Sequence, residues 1–277
     1  MNRMCWRRYA PMIMLPGLLI CLLAAGGLRA ASAQEAAGSA PLAHVAELGA
    51  NYIWYDEDLG EGDYEFARYT LSRDRSFIWR VEAGRAARFG DDGFGFGTSL
   101  TVYLDGRIFL LGGYGTGTGD FEVFPEYRWD VGIGRAFLAE GTLLFSMGYT
   151  REQSKIENYY DGFWGTVEWY IDEHWIAGVT GRHEVGYPGR NTSTNGGVNL
   201  TYSVWKRWAI GAGIQGGEVS YQLISPDRAL VDYNRTALML YHTRYVRSDI
   251  GFTVRTDYEH NDLYNLFGIT LSVFKEW

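Results

Sequence analysis

Cysteine is missing from all but the first 33 residues; Cys5 and Cys21 are the only two in the chain. That excludes a disulfide framework and any cysteine-built metal centre from the rest of the protein. Long apolar runs are missing beyond the same point. No stretch there approaches the 18 or so apolar residues of a spanning helix. Lysine is scarce, with 3 against 22 arginines, and proline is scarce too, at 6. Linker composition is absent as well: no Pro/Ser-rich segment, charge block or low-complexity tract divides residues 42–277. One domain is the expectation. The five histidines, His44, His174, His183, His242 and His260, are scattered without metal-ligand spacing, so neither metal nor cofactor is expected.

The N-terminus reads as an export signal. Arg3, Arg7 and Arg8 form a positive region, Met12 to Leu23 is apolar, and Ala31-Ser32-Ala33 is a small-residue cleavage site. Residues 1–33 are therefore expected to be a signal peptide, 34–41 a short periplasmic segment, and 42–277 the folded domain. Removing 1–33 takes away four arginines and no acids. That leaves 21 basic against 33 acidic residues, a net charge of −12. Such a balance argues against nucleic acid as a partner.

Aromatic residues and glycine are abundant: Tyr 20, Phe 14, Trp 10 and Gly 36. They fall into repeated two-residue alternation. In 77–85, Phe77, Trp79, Val81 and Ala83 oppose Ile78, Arg80, Glu82 and Gly84. In 126–134, Tyr127, Trp129, Val131 and Ile133 oppose Glu126, Arg128, Asp130 and Gly132. In 250–259, Ile250, Phe252, Val254 and Tyr258 oppose Gly251, Thr253, Arg255, Asp257 and Glu259. Segments 94–105, 163–171, 198–204 and 208–216 behave alike. About 14 strands result, or 12 if two merge. The chain closes inside such a strand, with Ile269, Leu271, Val273 and Trp277 on one parity. Val273 and Trp277 are the expected assembly signal of an outer-membrane β-barrel, whose last strand pairs with its first so that no sheet edge remains.

Connections alternate in expected length. Short ones fall at 72–75, 105–106, 172–174, 205–207 and 247–249. Longer ones are expected at 56–63, 87–93, 115–123, 150–158, 185–195 and 217–232. The fold expected is an all-β, transmembrane, antiparallel up-and-down barrel in the outer membrane of a Gram-negative bacterium, with both termini periplasmic. A soluble barrel would turn the apolar parity inward, but so many strands enclose a lumen too wide for apolar side chains to fill. The apolar parity is therefore expected to face lipid.

The polar parity then lines the lumen: Arg80, Glu82, Glu126, Arg128, Asp130, Glu168, Arg182, Arg255, Asp257 and Glu259, with Tyr170 and Glu184. Mixed acids and arginines fit two readings, internal ion pairing that stiffens the barrel and a water-filled passage that sorts polar solutes. A lipid- or peptide-hydrolysing barrel would need a hydroxyl beside a histidine on one face. No histidine has serine two residues away, and no catalytic residue is assigned. Expected partners are outer-membrane lipid and lipopolysaccharide, whose phosphates suit Arg88, Arg151 and Arg190. The barrel-assembly machinery during insertion and a saccharide or small polar solute complete the list.

Phe124-Pro125-Glu126-Tyr127-Arg128-Trp129-Asp130-Val131-Gly132-Ile133-Gly134 resembles the Pro-containing strand of YaiO-type outer-membrane β-barrel proteins. Gly112-Gly113-Tyr114-Gly115 and Val167-Glu168-Trp169-Tyr170 are similar to other parts of that pattern. The resemblance covers about 42–277. Lys275 departs from the aromatic or apolar residue usual two before the end. The resemblance implies an outer-membrane barrel tied to envelope or surface-polysaccharide functions, with no catalytic residues to carry over.

Overall fold

The computed structural model describes residues 41–56, 59–74, 76–104, 107–119, 123–138, 142–155, 158–225 and 228–277. The expected signal peptide, most of the 34–41 segment and the Asp105-Gly106 turn lie outside these residues. Fourteen strands run in chain order: β1 (Leu42–Tyr55), β2 (Glu61–Arg73), β3 (Phe77–Arg88), β4 (Asp91–Tyr103), β5 (Ile108–Gly117), β6 (Tyr127–Phe137), β7 (Leu143–Gln153), β8 (Tyr159–Tyr170), β9 (Trp175–Tyr187), β10 (Asn191–Val204), β11 (Trp208–Ser225), β12 (Arg228–Tyr245), β13 (Ile250–Asn261) and β14 (Asn265–Glu276). Each pairs antiparallel with its neighbours, and β14 pairs β1, closing an up-and-down barrel. Fourteen tilted strands about 4.8 Å apart enclose a backbone circle of roughly 26 Å.

The register fixes which parity points where. Val131 lies opposite Tyr149 and Gly112, Leu48 opposite Ala67 and Val273, and Leu240 opposite Ala212 and Thr256. Val131, Leu48, Val273 and Leu240, with Phe96, Phe163, Val179, Val198 and Leu271, are exposed on the outside of the barrel. Aromatic rings edge that apolar band at both ends. Trp169, Trp175, Trp205 and Trp277 stand near the end that carries strand β1's start, here the near end. Trp54, Phe94, Tyr258 and Phe267 stand near the far end. A band of apolar side chains left uncovered around a whole barrel is the reverse of a soluble fold, which buries such surface.

The far connections differ from expectation. The segment expected as a loop at 87–93 is a two-residue turn, Phe89-Gly90, with φ 55° and 79°. Positive φ at both central residues is the type I′ geometry that matches strand twist. Residues 185–195 hold only the turn at 188–190, and β11 and β12 run through most of 217–232. Beyond Gly217 on β11 and before Arg235 on β12 these two strands pair only with each other, so they form a ribbon above the rim. Loop-like composition misled because, beyond the apolar band, both faces of a strand are polar and the alternation vanishes. In the connection between β5 and β6, the described residues 123–124 turn inward. Phe124 lies against Gly95 and Gly117 on the inner wall, and Val123 N–H donates to Asp91 Oδ2 at 3.2 Å.

Candidate functional site: the inner wall

Interior side chains divide the lumen into zones. Near the near end apolar and polar side chains alternate around the wall: Val45, Ile78, Phe109, Leu144, Ile176 and Ala209 point inward from alternate strands, and Thr70, Thr101, Glu168, Thr201 and Ser272 from strands between them. Phe109 and Ile176 are buried. At the far end Tyr55, Tyr233 and Tyr264 are buried together with Ile53, Leu59, Phe89, Val219 and Leu266 against them, narrowing the mouth.

Charge is concentrated between these zones. On β1–β3, Arg68 Nη1 meets Glu47 Oε2 at 2.8 Å, and its Nε donates to Glu82 Oε2 at 2.6 Å; Tyr64 O–H also donates to Glu82. On β12–β14, Arg235 Nη1 lies 3.4 Å from Glu259 Oε2, and Tyr264 O–H donates to Glu259 Oε1 at 3.2 Å. Arg255 holds Asp257 along its own strand, Nη2 to Oδ1 at 2.5 Å.

The largest group spans β6–β10. Arg128 Nη1 meets Glu152 Oε2 at 3.2 Å and Arg128 Nε lies 4.0 Å from Asp130 Oδ2. Thr150, fully buried, donates to Asp130, and Tyr160 O–H donates to Glu152 at 2.7 Å. Arg182 Nε lies 2.6 Å from Glu184 Oε1, and Ser193 O–H donates to the same carboxylate at 3.3 Å. Trp164, between them on β8, packs against Gly132 and Gly148, where any Cβ would strike its ring.

The structure thus gathers Arg128, Asp130 and Arg182 into one group, Arg255 and Asp257 into another, and places Glu82 and Glu259 in pairs. Arg80 points inward on β3 beside the Glu82 network. Glu168 points inward nearer the near end, opposite Leu144 and Gly178. Glu126 precedes β6 and is exposed at the far rim, with its N–H bonded to Gln153 O at 3.0 Å. Sequence reading missed Glu47, Arg68, Glu152, Tyr160, Ser193 and Arg235. The signal was present in β7, where Ser146, Gly148, Thr150 and Glu152 share the polar parity.

The outward histidine His183 has a hydroxyl partner that the serine search overlooked: its Nδ1 lies 2.9 Å from Thr194 Oγ1. No described hydrogen bond joins a carboxylate to that ring. Outside the spanning strands, two carboxyls are held below the usual carboxylate range. Asp56 is held there by the side-chain and backbone N–H groups of Asn265, each at 2.5 Å. Asp172 is held there by the backbone N–H groups of His174 and Trp175, each at 2.7 Å.

No family model and no curated protein matches the chain. Solved structures do. A bacterial polysaccharide outer membrane secretin is similar over 85% of this chain and 98% of its own, with TM-score 0.52 and 8% identity. Omp33 of Acinetobacter baumannii is similar over 83% and 97%, with TM-score 0.51 and 11% identity. OmpT of Vibrio cholerae is similar over 85% and 97%, with TM-score 0.50 and 13% identity. At these identities the likeness concerns the fold, that of outer-membrane β-barrels.

Proposed function

We propose that this protein is an outer-membrane barrel, both termini periplasmic, that passes polar solutes across the bilayer without chemical change. The carrying observation is its inversion: apolar side chains uncovered around the outside, ion-paired and hydrogen-bonded ones inside. Lipid accepts the first arrangement and water the second. Saccharides are the solute class favoured. Mixed arginine, carboxylate and aromatic side chains suit hydroxyl-rich molecules, and one similar fold belongs to a polysaccharide outer membrane secretin. Within this class the chain is read as a relative of YaiO-type barrels, on the motif at 124–134. Single-channel recording of refolded protein in planar bilayers is the test. Steady, ohmic steps are expected, and a silent but correctly folded protein would overturn the reading.

A second reading, a barrel hydrolase of the outer leaflet, rests on the pair His183 and Thr194. It lacks a carboxylate to orient the ring, which nucleophilic sites of this kind use. Mutating Thr194 to Val with no loss of any ester-hydrolysing activity would dismiss it.

A further inference from the structure

Buried polar groups in folded proteins are nearly always hydrogen-bonded, so those that are not point to a missing partner. Among the described residues twelve buried side-chain polar atoms lack a hydrogen bond, and half fall on one patch of the inner wall. They are Arg128 Nε and Nη2, Asp130 Oδ2, Trp164 Nε1, and Arg182 Nε and Nη2. Arg182 Nε faces Glu184, and Arg128 Nε faces Asp130 Oδ2, at ion-pair distance without hydrogen-bond alignment. The four residues come from β6, β8 and β9, and Arg182 and Glu184 also occupy the space beside Gly162, where the wall has no side chain of its own.

From this patch we infer a saccharide-binding subsite at Arg128, Asp130, Trp164 and Arg182, taking an uncharged sugar ring. The inference rests on the solute-passing reading and names its substrate class. Three features converge. Trp164 packs its six-membered ring against the glycine shelf of Gly132 and Gly148 and, pointing inward from β8, stays partly exposed. An aromatic face is electron-rich and attracts the slightly positive C–H edge of a sugar ring. The atoms left without a hydrogen bond or a described ion pair, Arg128 Nη2, Trp164 Nε1 and Arg182 Nη2, are all donors, and a sugar hydroxyl oxygen accepts. Finally, two guanidiniums stand among three carboxylates, Asp130, Glu152 and Glu184. No surplus positive charge is left to hold an acidic ligand, so a neutral one fits better.

Calorimetric titration of the detergent-solubilised full-length barrel with maltotriose tests this without requiring an open channel. Saturable binding is expected, weakened about tenfold or more by Trp164→Ala and by Arg182→Gln, which is 1.4 kcal/mol or more. Trp164→Phe retains a ring and should stay within about threefold of wild type. Thr243→Ser, near the near end of β12 and away from the patch, should not change binding. Heat-modifiable migration on gels establishes that each variant is folded. If Trp164→Ala fails to fold, Arg182→Gln and Trp164→Phe decide. No saturable heat from folded wild type, or folded variants that all bind equally, would overturn the subsite and leave ordered lumen water as the partner. Binding with this mutational pattern in a protein that conducts nothing would keep the subsite and remove the pore.

Discussion

The indole of Trp277 stacks on the imidazole of His44, with ring centroids 5.5 Å apart and planes within 6°. Beneath the rings the two residues exchange backbone hydrogen bonds, N–H to C=O at 3.0 Å in both directions. This is the last rung of the β1–β14 ladder, where the barrel closes. Val273 lies higher on the same strand, exposed on the outside and opposite Leu48. Removing Trp277 loses the stacked pair and an interfacial aromatic; Val273→Arg places a charge in the apolar band at a cost of about 2–4 kcal/mol. Both variants should lose heat-modifiable protein from the outer-membrane fraction. Unchanged levels of both would contradict the closure described here.

Arg68 and Arg255 both carry inward charge but sit differently. The Arg68 side chain is 6% exposed between two carboxylates, while that of Arg255 is 32% exposed beside Asp257. Arg68→Gln leaves Glu47 and Glu82 facing each other in a buried site, a loss of roughly 3–5 kcal/mol. Arg255→Gln should cost under about 1 kcal/mol, because water solvates the partner left behind. It should instead move the reversal potential toward cation selectivity. Unfolding in detergent and bilayer recording of the two variants check this contrast. Equal stability loss in both would mean a dry lumen.

Phe109 on β5 lies on Gly134 of β6, so a Cβ at Gly134 would come within 2.1 Å of the ring. Gly134→Ala should destabilise the barrel by about 1–3 kcal/mol through overpacking. Adding Phe109→Ala should recover part of that loss, although Phe109→Ala alone is also destabilising. Strict additivity in the double-mutant cycle would show that the contact is not energetic.

The Asp172 turn titrates. Its carboxylate accepts the N–H groups of His174 and Trp175, which favours the charged form and lowers the pKa. A lowered folded-state pKa gives a contribution that is present above the usual carboxylate range and lost as pH falls through the folded value. Asp172→Ala should therefore weaken the turn at neutral pH and have no effect at strongly acidic pH. Amide exchange at His174 and Trp175 reads this directly.

The face of strands such as β3, β4, β6 and β13 was legible in the sequence because alternation survives where one side meets an apolar surround; in β5 and β12, apolar on both parities, it was not. Arg128 and Asp130 could be placed inside from Trp129 and Val131 alone. Their partners could not. Which residue of β7 faces Arg128 depends on register, and composition does not reveal where β6 ends and β7 begins. Glu152 and Tyr160 thus escaped notice. The far ends of strands were illegible for another reason. Asn191 to Gly197 and Gln215 to Glu218 carry the small polar residues of loops, yet they form ladder because adjoining strands supply their hydrogen bonds.

The central claim is an apolar outside and a wet, polar inside in one wall, and neighbouring residues test it most directly. Val254 and Arg255 are adjacent on β13 and point opposite ways, as Val131 does from the lumen residues of β6. The only native cysteines, Cys5 and Cys21, lie in the expected signal peptide. Single cysteines at Val131, Val254, Arg255 and Asp257 are labelled in proteoliposomes with a charged, water-soluble thiol reagent and with a lipid-soluble one. The account predicts that cysteines at 255 and 257 react with the charged reagent, while those at 131 and 254 react only with the lipid-soluble one. Charged-reagent labelling at 131 and 254, with 255 and 257 protected, would contradict it.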